Sequence, residues 1–244
     1  MSIPKYHHAI VIGASSGIGR ELVRKLAASG CRVAAIARRA DRLQELVAEF
    51  PEQVIPMPHD VVDLAAAEPA FLEATAALGG LDLVIYAAGV MPEIGASEYN
   101  ITKDTEIFAV NVMGAVAWMN QAAIRFENTR SGTLVVIGSV AGDRGRVGQP
   151  AYNASKAAIA TFAEAIRNRI SRFGVRVVTI KPGPVETEMT QHLHLKGAMS
   201  ATEAAERILV KSKRGGEHYL KFGHRVAFFI IRNFPSFLFR RLKI

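Results

Sequence analysis

Tyr152, Lys156 four residues later, and Ser139 thirteen residues before the tyrosine are the side chains of this sequence best suited to moving a proton. On a helix, positions i and i+4 share one face. An ammonium beside a phenol stabilises the phenolate, so it draws a tyrosine pKa down from about 10 toward neutrality. A hydroxyl tuned this way can give a proton to a carbonyl oxygen while hydride reaches the carbon, or take it back in reverse. By itself the Tyr-x-x-x-Lys spacing more often marks a solvated pair on an amphipathic helix. The chemistry needs support from elsewhere in the chain.

Support comes from the N-terminal region. Gly13-Ala14-Ser15-Ser16-Gly17-Ile18-Gly19 follows an apolar run and opens a helical pattern. Glycines there permit a tight turn and close approach of backbone to a pyrophosphate, and a helix N-terminus adds free N–H groups and a positive dipole end. Gly13, Ser15, Ser16, Gly17, Ile18 and Gly19 form the expected cradle. A free ribose 2′-hydroxyl is usually held by an acid about 20 residues on. This chain has Ala37-Arg38-Arg39 there, with no acid before Asp41. A guanidinium fork grips a 2′-phosphate that a carboxylate would repel. The expected cofactor is NADP(H), with Arg38 as the main contact and Arg39 or Ser15 assisting.

Groups so far apart in sequence meet only if the fold gathers the ends of several strands. Apolar runs at 8–12, 32–37, 54–57, 81–86, 133–137 and 175–180 alternate with helical patterns at 18–28, 42–50, 64–78, 105–126 and 151–173. The runs are nearly continuous Val, Ile, Leu and Ala, as in strands covered by helices on both faces. Six such alternations predict an α/β, Rossmann-like, doubly wound parallel sheet. A seventh short strand is expected at 218–222. Ligands of such sheets bind beyond the C-terminal strand ends. The expected layout is one catalytic domain, 1–222, followed by a distinct C-terminal segment, 223–244.

The glycine-rich turn, the Ser139/Tyr152/Lys156 set, Asp60 after strand three, Asn111 in the long helix and Pro182-Gly183-Pro184-Val185-Glu186-Thr187 after strand six occur together and in order. Over residues 7–190 the chain resembles the short-chain dehydrogenase/reductase family, in its NADP-preferring form. The resemblance implies that Tyr152 is the acid/base, that Ser139 hydrogen-bonds the substrate carbonyl, and that Lys156 lowers the tyrosine pKa and holds the nicotinamide ribose. It also implies that Asn111 links Lys156 to water. Asp60 and Val61 resemble adenine contacts, Ala88 and Gly89 line the cofactor, and Pro182, Gly183, Val185 and Thr187 belong to the segment at its carboxamide end. The implied activity is interconversion of a ketone or aldehyde with an alcohol, by a homodimer or homotetramer. The chain departs from the family in two places. Ile12 stands where a threonine is common, and Tyr86-Ala87-Ala88-Gly89 where Asn-Asn-Ala-Gly is common, so bracing by those asparagines must be replaced.

The net charge of +8 does not point to nucleic acid. From residue 211 onward there are nine basic residues and one acid, Glu217, which leaves the rest neutral. No groove-reading motif accompanies the basic tail. Half of the twelve phenylalanines lie in 222–244. Phe228, Phe229, Ile231, Phe234, Phe237 and Leu238 are expected on one side, with Pro235 breaking the segment. Such a basic, aromatic stretch suits either a membrane interface rich in anionic lipid or packing on the sheet or a second subunit. The segment 139–146 and the tail also resemble reductases of polyprenyl-linked keto sugars, an alternative substrate class. A non-catalytic NADPH-binding sensor is an alternative of another kind. Met189–Met199 falls where the family keeps a loop over the substrate, so it reads either as a lid made apolar by Leu193, Leu195 and Met199 or as an ordinary exposed loop. A lone cysteine, Cys31, reads as a small buried hydrophobe in a reducing compartment. His7, His8, His192 and His194 lack the spacing of a metal site. Neither a secretory signal nor a bilayer-spanning helix is expected, so the expected location is cytoplasmic, with peripheral membrane contact through the tail.

Overall fold

The structure, a computed structural model, describes residues 3–95, 97–193 and 197–241. Strands β1 (His8–Ile12), β2 (Arg32–Ala37), β3 (Val54–Pro58), β4 (Leu83–Tyr86), β5 (Thr133–Ile137) and β6 (Arg176–Lys181) alternate with helices α1 (Gly17–Ala28), α2 (Ala40–Glu49), α3 (Ala67–Leu78), α4 (Ile101–Phe108), α5 (Ala115–Thr129) and α6 (Pro150–Ile170). A short pair, β7 (Val185–Glu186) and β8 (Met199–Ser200), precedes α7 (Ala201–Lys211) and β9 (Gly216–Tyr219). Helices α8 (Phe222–Asn233) and α9 (Ser236–Phe239) complete the described chain.

Seven strands form one parallel sheet in the order β3-β2-β1-β4-β5-β6-β9. Both faces are covered, which explains the unbroken apolar strands: Ile10, Val11, Val84, Ile85, Leu134 and Val135 are wholly buried. One layer packs Leu22, Leu26, Leu43 and Ile208 against the sheet, and the other packs Phe71, Trp118, Phe126 and Ile166. Strand order reverses between β1 and β4, which opens the crevice where ligands of such sheets bind.

The seventh strand falls at 216–219 instead of 218–222. Its register against β6 runs Val178↔Gly216 to Lys181↔Tyr219, after which Phe222 already begins α8. Strand four starts at Leu83. Asp82 instead accepts hydrogen bonds from the His7 and His8 N–H groups, at 2.7 and 3.1 Å, and fixes the start of β1. The long helix is not uniform, since Ala109–Gly114 is π-helical between α4 and α5. By length and composition alone Ile101–Thr129 is apolar enough to cross a bilayer, with mean hydropathy 1.4 in its most apolar stretch. Half of that stretch is buried inside the fold, where it packs on β4, β5, α3 and α6.

The tail has two apolar faces instead of the expected single one. Phe228, Ile231 and Phe234 are partly covered by the body, whereas Phe222, Val226, Phe229, Ile230, Phe237 and Leu238 are exposed. Helix α8 stops at Asn233, just before Phe234 and Pro235. The segment is tied down by Arg144, which donates from Nη1 to the carbonyls of Ile231, Arg232 and Phe234 and from Nη2 to Ser236 Oγ. Its guanidinium also lies 4.3 Å from the centre of the Phe239 ring.

Candidate active site

The C-terminal strand ends enclose a cavity of about 640 Å³. It is lined by Gly13, Ser15, Ser16, Gly17, Ile18, Gly19, Arg38, Arg39, Val61, Ala88, Gly89, Ser139, Tyr152, Lys156, Pro182, Gly183, Val185 and Thr187. Asp60 and Asn111, also expected at the site, are not among its lining residues.

The glycine turn is fixed by sterics. Gly13 has φ +90°, and a Cβ there would stand 2.5 Å from the Ala88 nitrogen. Only glycine lets β1 turn this close to the end of β4. Ser16 then leads into α1, whose first N–H groups open on the cavity. At the end of β2, Arg39 Nε and Nη2 donate to Ser15 Oγ at 3.2 and 3.0 Å, and Nη1 pairs with Glu188 at 2.9 Å. Arg38 stands 3.8 Å from Asp60, with both side chains largely in solvent. Arg39 is therefore the better anchored of the two, and Arg38 the freer. No Asp or Glu lines the cavity among the described residues.

At the other end, β5 and α6 bring the reacting groups together. Ser139 ends the run after β5 and accepts a hydrogen bond from the Ala141 N–H at 3.0 Å, which fixes the start of a 3₁₀ turn over Val140–Asp143. Tyr152 lies in the first turn of α6, one turn before Lys156. Lys156 is 6% exposed, donates to the Ile137 carbonyl at 3.1 Å, and has its Nζ 5.6 Å from the centre of the Tyr152 ring. Burial drops its pKa from 10.5 to about 8. Burial also pushes the Tyr152 hydroxyl above its usual pKa. The groups opposing that rise are Ser139, through a hydrogen bond, and the Arg146 charge. The expected pull from Lys156 is not among them.

Asn111 sits in the π-helical segment and is 1% exposed. Its Oδ1 accepts from the Val90 N–H at 2.8 Å, while its Nδ2 donates to the Val90 carbonyl at 3.0 Å and to Ser155 Oγ at 3.2 Å. Ser155 in turn donates to the Tyr152 carbonyl at 2.8 Å. Asn111 thus braces the segment after β4 and the backbone of Tyr152. The bracing that Tyr86-Ala87 removes is supplied differently, since the Tyr86 hydroxyl donates to the Val110 carbonyl at 2.7 Å. A π-turn loosens the local i→i−4 ladder, which lets that carbonyl reach outward.

Several cavity residues were not read from the sequence. His59, Met91, Arg146 and Phe228 line the cavity, and Phe228 arrives from α8, beyond the motif-bearing chain. His224 of the same helix packs against Gly183 so closely that a Cβ there would collide with its ring. Met189, in the candidate lid, lines the cavity. Met199 does not, because it pairs with Val185 in β7–β8 and is buried. Leu195 and His194, and the side chains of His192 and Leu193, fall outside the described residues. Cys31 is buried with its thiol pushed up to about 12, an inert state.

A parallel doubly wound sheet with a glycine-lined crevice at its switch point and a Ser/Tyr/Lys set beside it is the frame of a dinucleotide-dependent oxidoreductase. The family model described as short chain dehydrogenase matches residues 7–215, and the chain belongs to that family. It is 39% identical over 194 residues to an uncharacterized oxidoreductase of Myxococcus xanthus, covering 78% of this chain and 76% of that one. An uncharacterized oxidoreductase of Mycobacterium tuberculosis is 35% identical over 187 residues, 74% of each chain. Among solved structures, a short-chain dehydrogenase of Burkholderia cenocepacia in complex with NADP superposes with TM-score 0.85 at 22% identity, over 98% of both chains. Levodione reductase superposes with TM-score 0.82 at 20% identity, over 91% of this chain and 98% of that one.

Proposed function

We propose that the protein is an NADP(H)-dependent oxidoreductase that interconverts a ketone or aldehyde with an alcohol. The observation that carries this reading is the convergence of Ser139, Tyr152 and Lys156 on the cavity that Gly13, Arg38 and Arg39 also line. The crevice fits the dinucleotide: its turn would be filled by a Cβ at Gly13, and two guanidiniums stand at the expected 2′-phosphate, each with one carboxylate, Asp60 or Glu188, outside the cavity lining. When bound, the cofactor supplies or accepts the hydride. The α1 N-terminus and Gly13–Gly19 hold its pyrophosphate, Arg39, Ser15 and Arg38 its 2′-phosphate, and Val61 its adenine end, with Asp60 holding Arg38 in place. Ala88, Gly89, Pro182, Gly183, Val185 and Thr187 wall the remainder. Lys156 holds the ribose beside the nicotinamide. Ser139 donates a hydrogen bond to the substrate oxygen, which orients it, and Tyr152 delivers or removes the proton there. Asn111 keeps Tyr152 and the 90–91 wall in position.

Tyr152→Phe tests the reading. It should abolish NADPH oxidation over a carbonyl panel while NADPH still binds. Full turnover by that variant would refute the assignment of the acid/base. No turnover by the native protein, with NADPH bound, would favour a sensor instead.

The exposed Phe222, Val226, Phe229 and Ile230 on α8, with Arg225, Arg232, Arg240 and Arg241 also exposed, support a second reading: peripheral contact with anionic lipid. A second copy presenting the same basic face would meet it with like charge. Lipid-linked carbonyls, polyprenyl-linked keto sugars among them, are the substrates that such contact would favour. The body would then reside in the cytoplasm as a homodimer or homotetramer. Flotation with phosphatidylglycerol vesicles should carry the native protein upward, and failure to float removes this reading.

A further inference from the structure

The turn after Ser139 carries three charged side chains, Asp143, Arg144 and Arg146, and two of them are committed. Asp143 has no exposed side-chain surface. It pairs with Lys181 at 2.5 Å and accepts from the Tyr219 hydroxyl at 2.9 Å. Arg144 spends its guanidinium on the tail. Arg146 is different, because among the described residues it takes part in no hydrogen bond or ion pair, yet it lines the cavity at the Ser139/Tyr152 end. It is only partly exposed, and burial lowers its pKa. A desolvated, unpaired guanidinium is costly unless something anionic completes it. The Asp143 charge acts on it without pairing, being committed to Lys181, and no carboxylate lines the cavity among the described residues. Arg38 and Arg39 lie at the opposite, phosphate end and answer to the cofactor. The same cavity also has apolar lining residues, Val90, Met91, Val140 and Phe228 among them.

We propose that Arg146 anchors an anionic oxygen group of the substrate, carboxylate or phosphate, so that the carbonyl compound reduced here is an oxo acid or oxo phosphate. This rests on the reductase reading above. The carbonyl takes up hydride at carbon and the Tyr152 proton at oxygen and becomes a hydroxyl, while the anionic group passes through unchanged. A planar guanidinium fork binds either anion bidentately and so fixes the distance between the anion and the reacting carbonyl. Arg146 is then a specificity-determining residue, and its charge also opposes the burial-driven rise of the Tyr152 pKa.

The test uses the full chain with NADPH and two sets of probes. One set is the methyl-ketone acids with zero to four methylenes between carbonyl and carboxylate, each with its methyl ester. The other is dihydroxyacetone phosphate with dihydroxyacetone. The native protein should prefer one acid length, or the phosphate, over its neutral counterpart by about ten- to a hundredfold in kcat/KM, mainly through KM. Arg146→Met should remove that preference, and Arg146→Lys should restore part of it. Equal turnover of charged and neutral members overturns the proposal and leaves the reductase reading intact. A parallel loss for acid and ester in Arg146→Met, with a shifted pH profile, also overturns it, because the residue then serves Tyr152 alone. Absence of turnover for every probe, with NADPH bound, counts against both readings.

Discussion

Lys156 is kept at a cost that a single substitution should expose. Its ammonium is almost fully buried, with the Ile137 carbonyl as its hydrogen-bond acceptor, and its pKa falls from 10.5 to about 8. At about 1.4 kcal/mol per tenfold change in proton affinity, that fall is a penalty of about 3 kcal/mol on the folded state. Lys156→Met removes the charge and keeps a side chain of similar reach. The lost hydrogen bond takes back about 1 kcal/mol. The cofactor-free variant should then be more stable by about 2 kcal/mol at pH 7, a rise in melting temperature of roughly 4–8 °C for a chain of this size. The sign depends on pH. Below about 8 the lysine is charged in both states, and the native fold carries the whole penalty. As pH rises from 8 to 10.5 the folded lysine sheds its proton while the unfolded one keeps it, so the native protein gains stability and the advantage of the variant shrinks. Melting curves of both proteins at pH 7 and pH 10.5, without cofactor, check this. A variant that melts below the native protein at pH 7, or a difference that ignores pH, refutes the reasoning.

The cofactor contacts yield a specificity prediction. Arg38→Ala/Arg39→Ala should weaken NADPH binding by about ten- to a hundredfold and leave NADH nearly unaffected, measured by fluorescence titration. NADPH affinity of the native protein should also fall as pH rises past about 8, because Lys156 then loses its charge. Gly13→Val should abolish NADPH binding and lower the melting temperature, since its Cβ would stand 2.5 Å from the Ala88 nitrogen at a φ that valine rarely adopts. Asp143→Ala should destabilise by about 1–3 kcal/mol in urea unfolding, because buried Lys181 keeps only Glu217, at 2.8 Å, and the Tyr219 hydroxyl loses its acceptor.

The sheet was readable because each strand is buried on both faces, so composition alone marks it. Lys156, Tyr152 and Ser139 were readable because one helix and one strand end set their spacing. What escaped reading depended on contacts between distant segments. Arg146 and Phe228 belong to no local pattern and line one cavity because α8 lies against the turn at Val140–Asp143. The tethering of Arg39 rests on Ser15 and Glu188, partners 24 and 149 residues away. The two-sided tail was misjudged because helical periodicity reports an apolar face without saying what covers it. The π-helical segment left no sequence mark, since the bond it permits, from the Tyr86 hydroxyl to the Val110 carbonyl, joins residues 24 apart.

The way the tail is fastened separates two kinds of change available to this lineage. Proton-transfer groups stand on short, rigid elements rooted in the sheet, whereas the wall that faces the substrate is partly a terminal segment held by Arg144, His224 and Phe228. Substitutions along α8 and α9 can therefore reshape what is admitted without moving Ser139, Tyr152 or Lys156. A duplicated copy could acquire a new substrate by drift in its tail alone, with the reaction inherited intact.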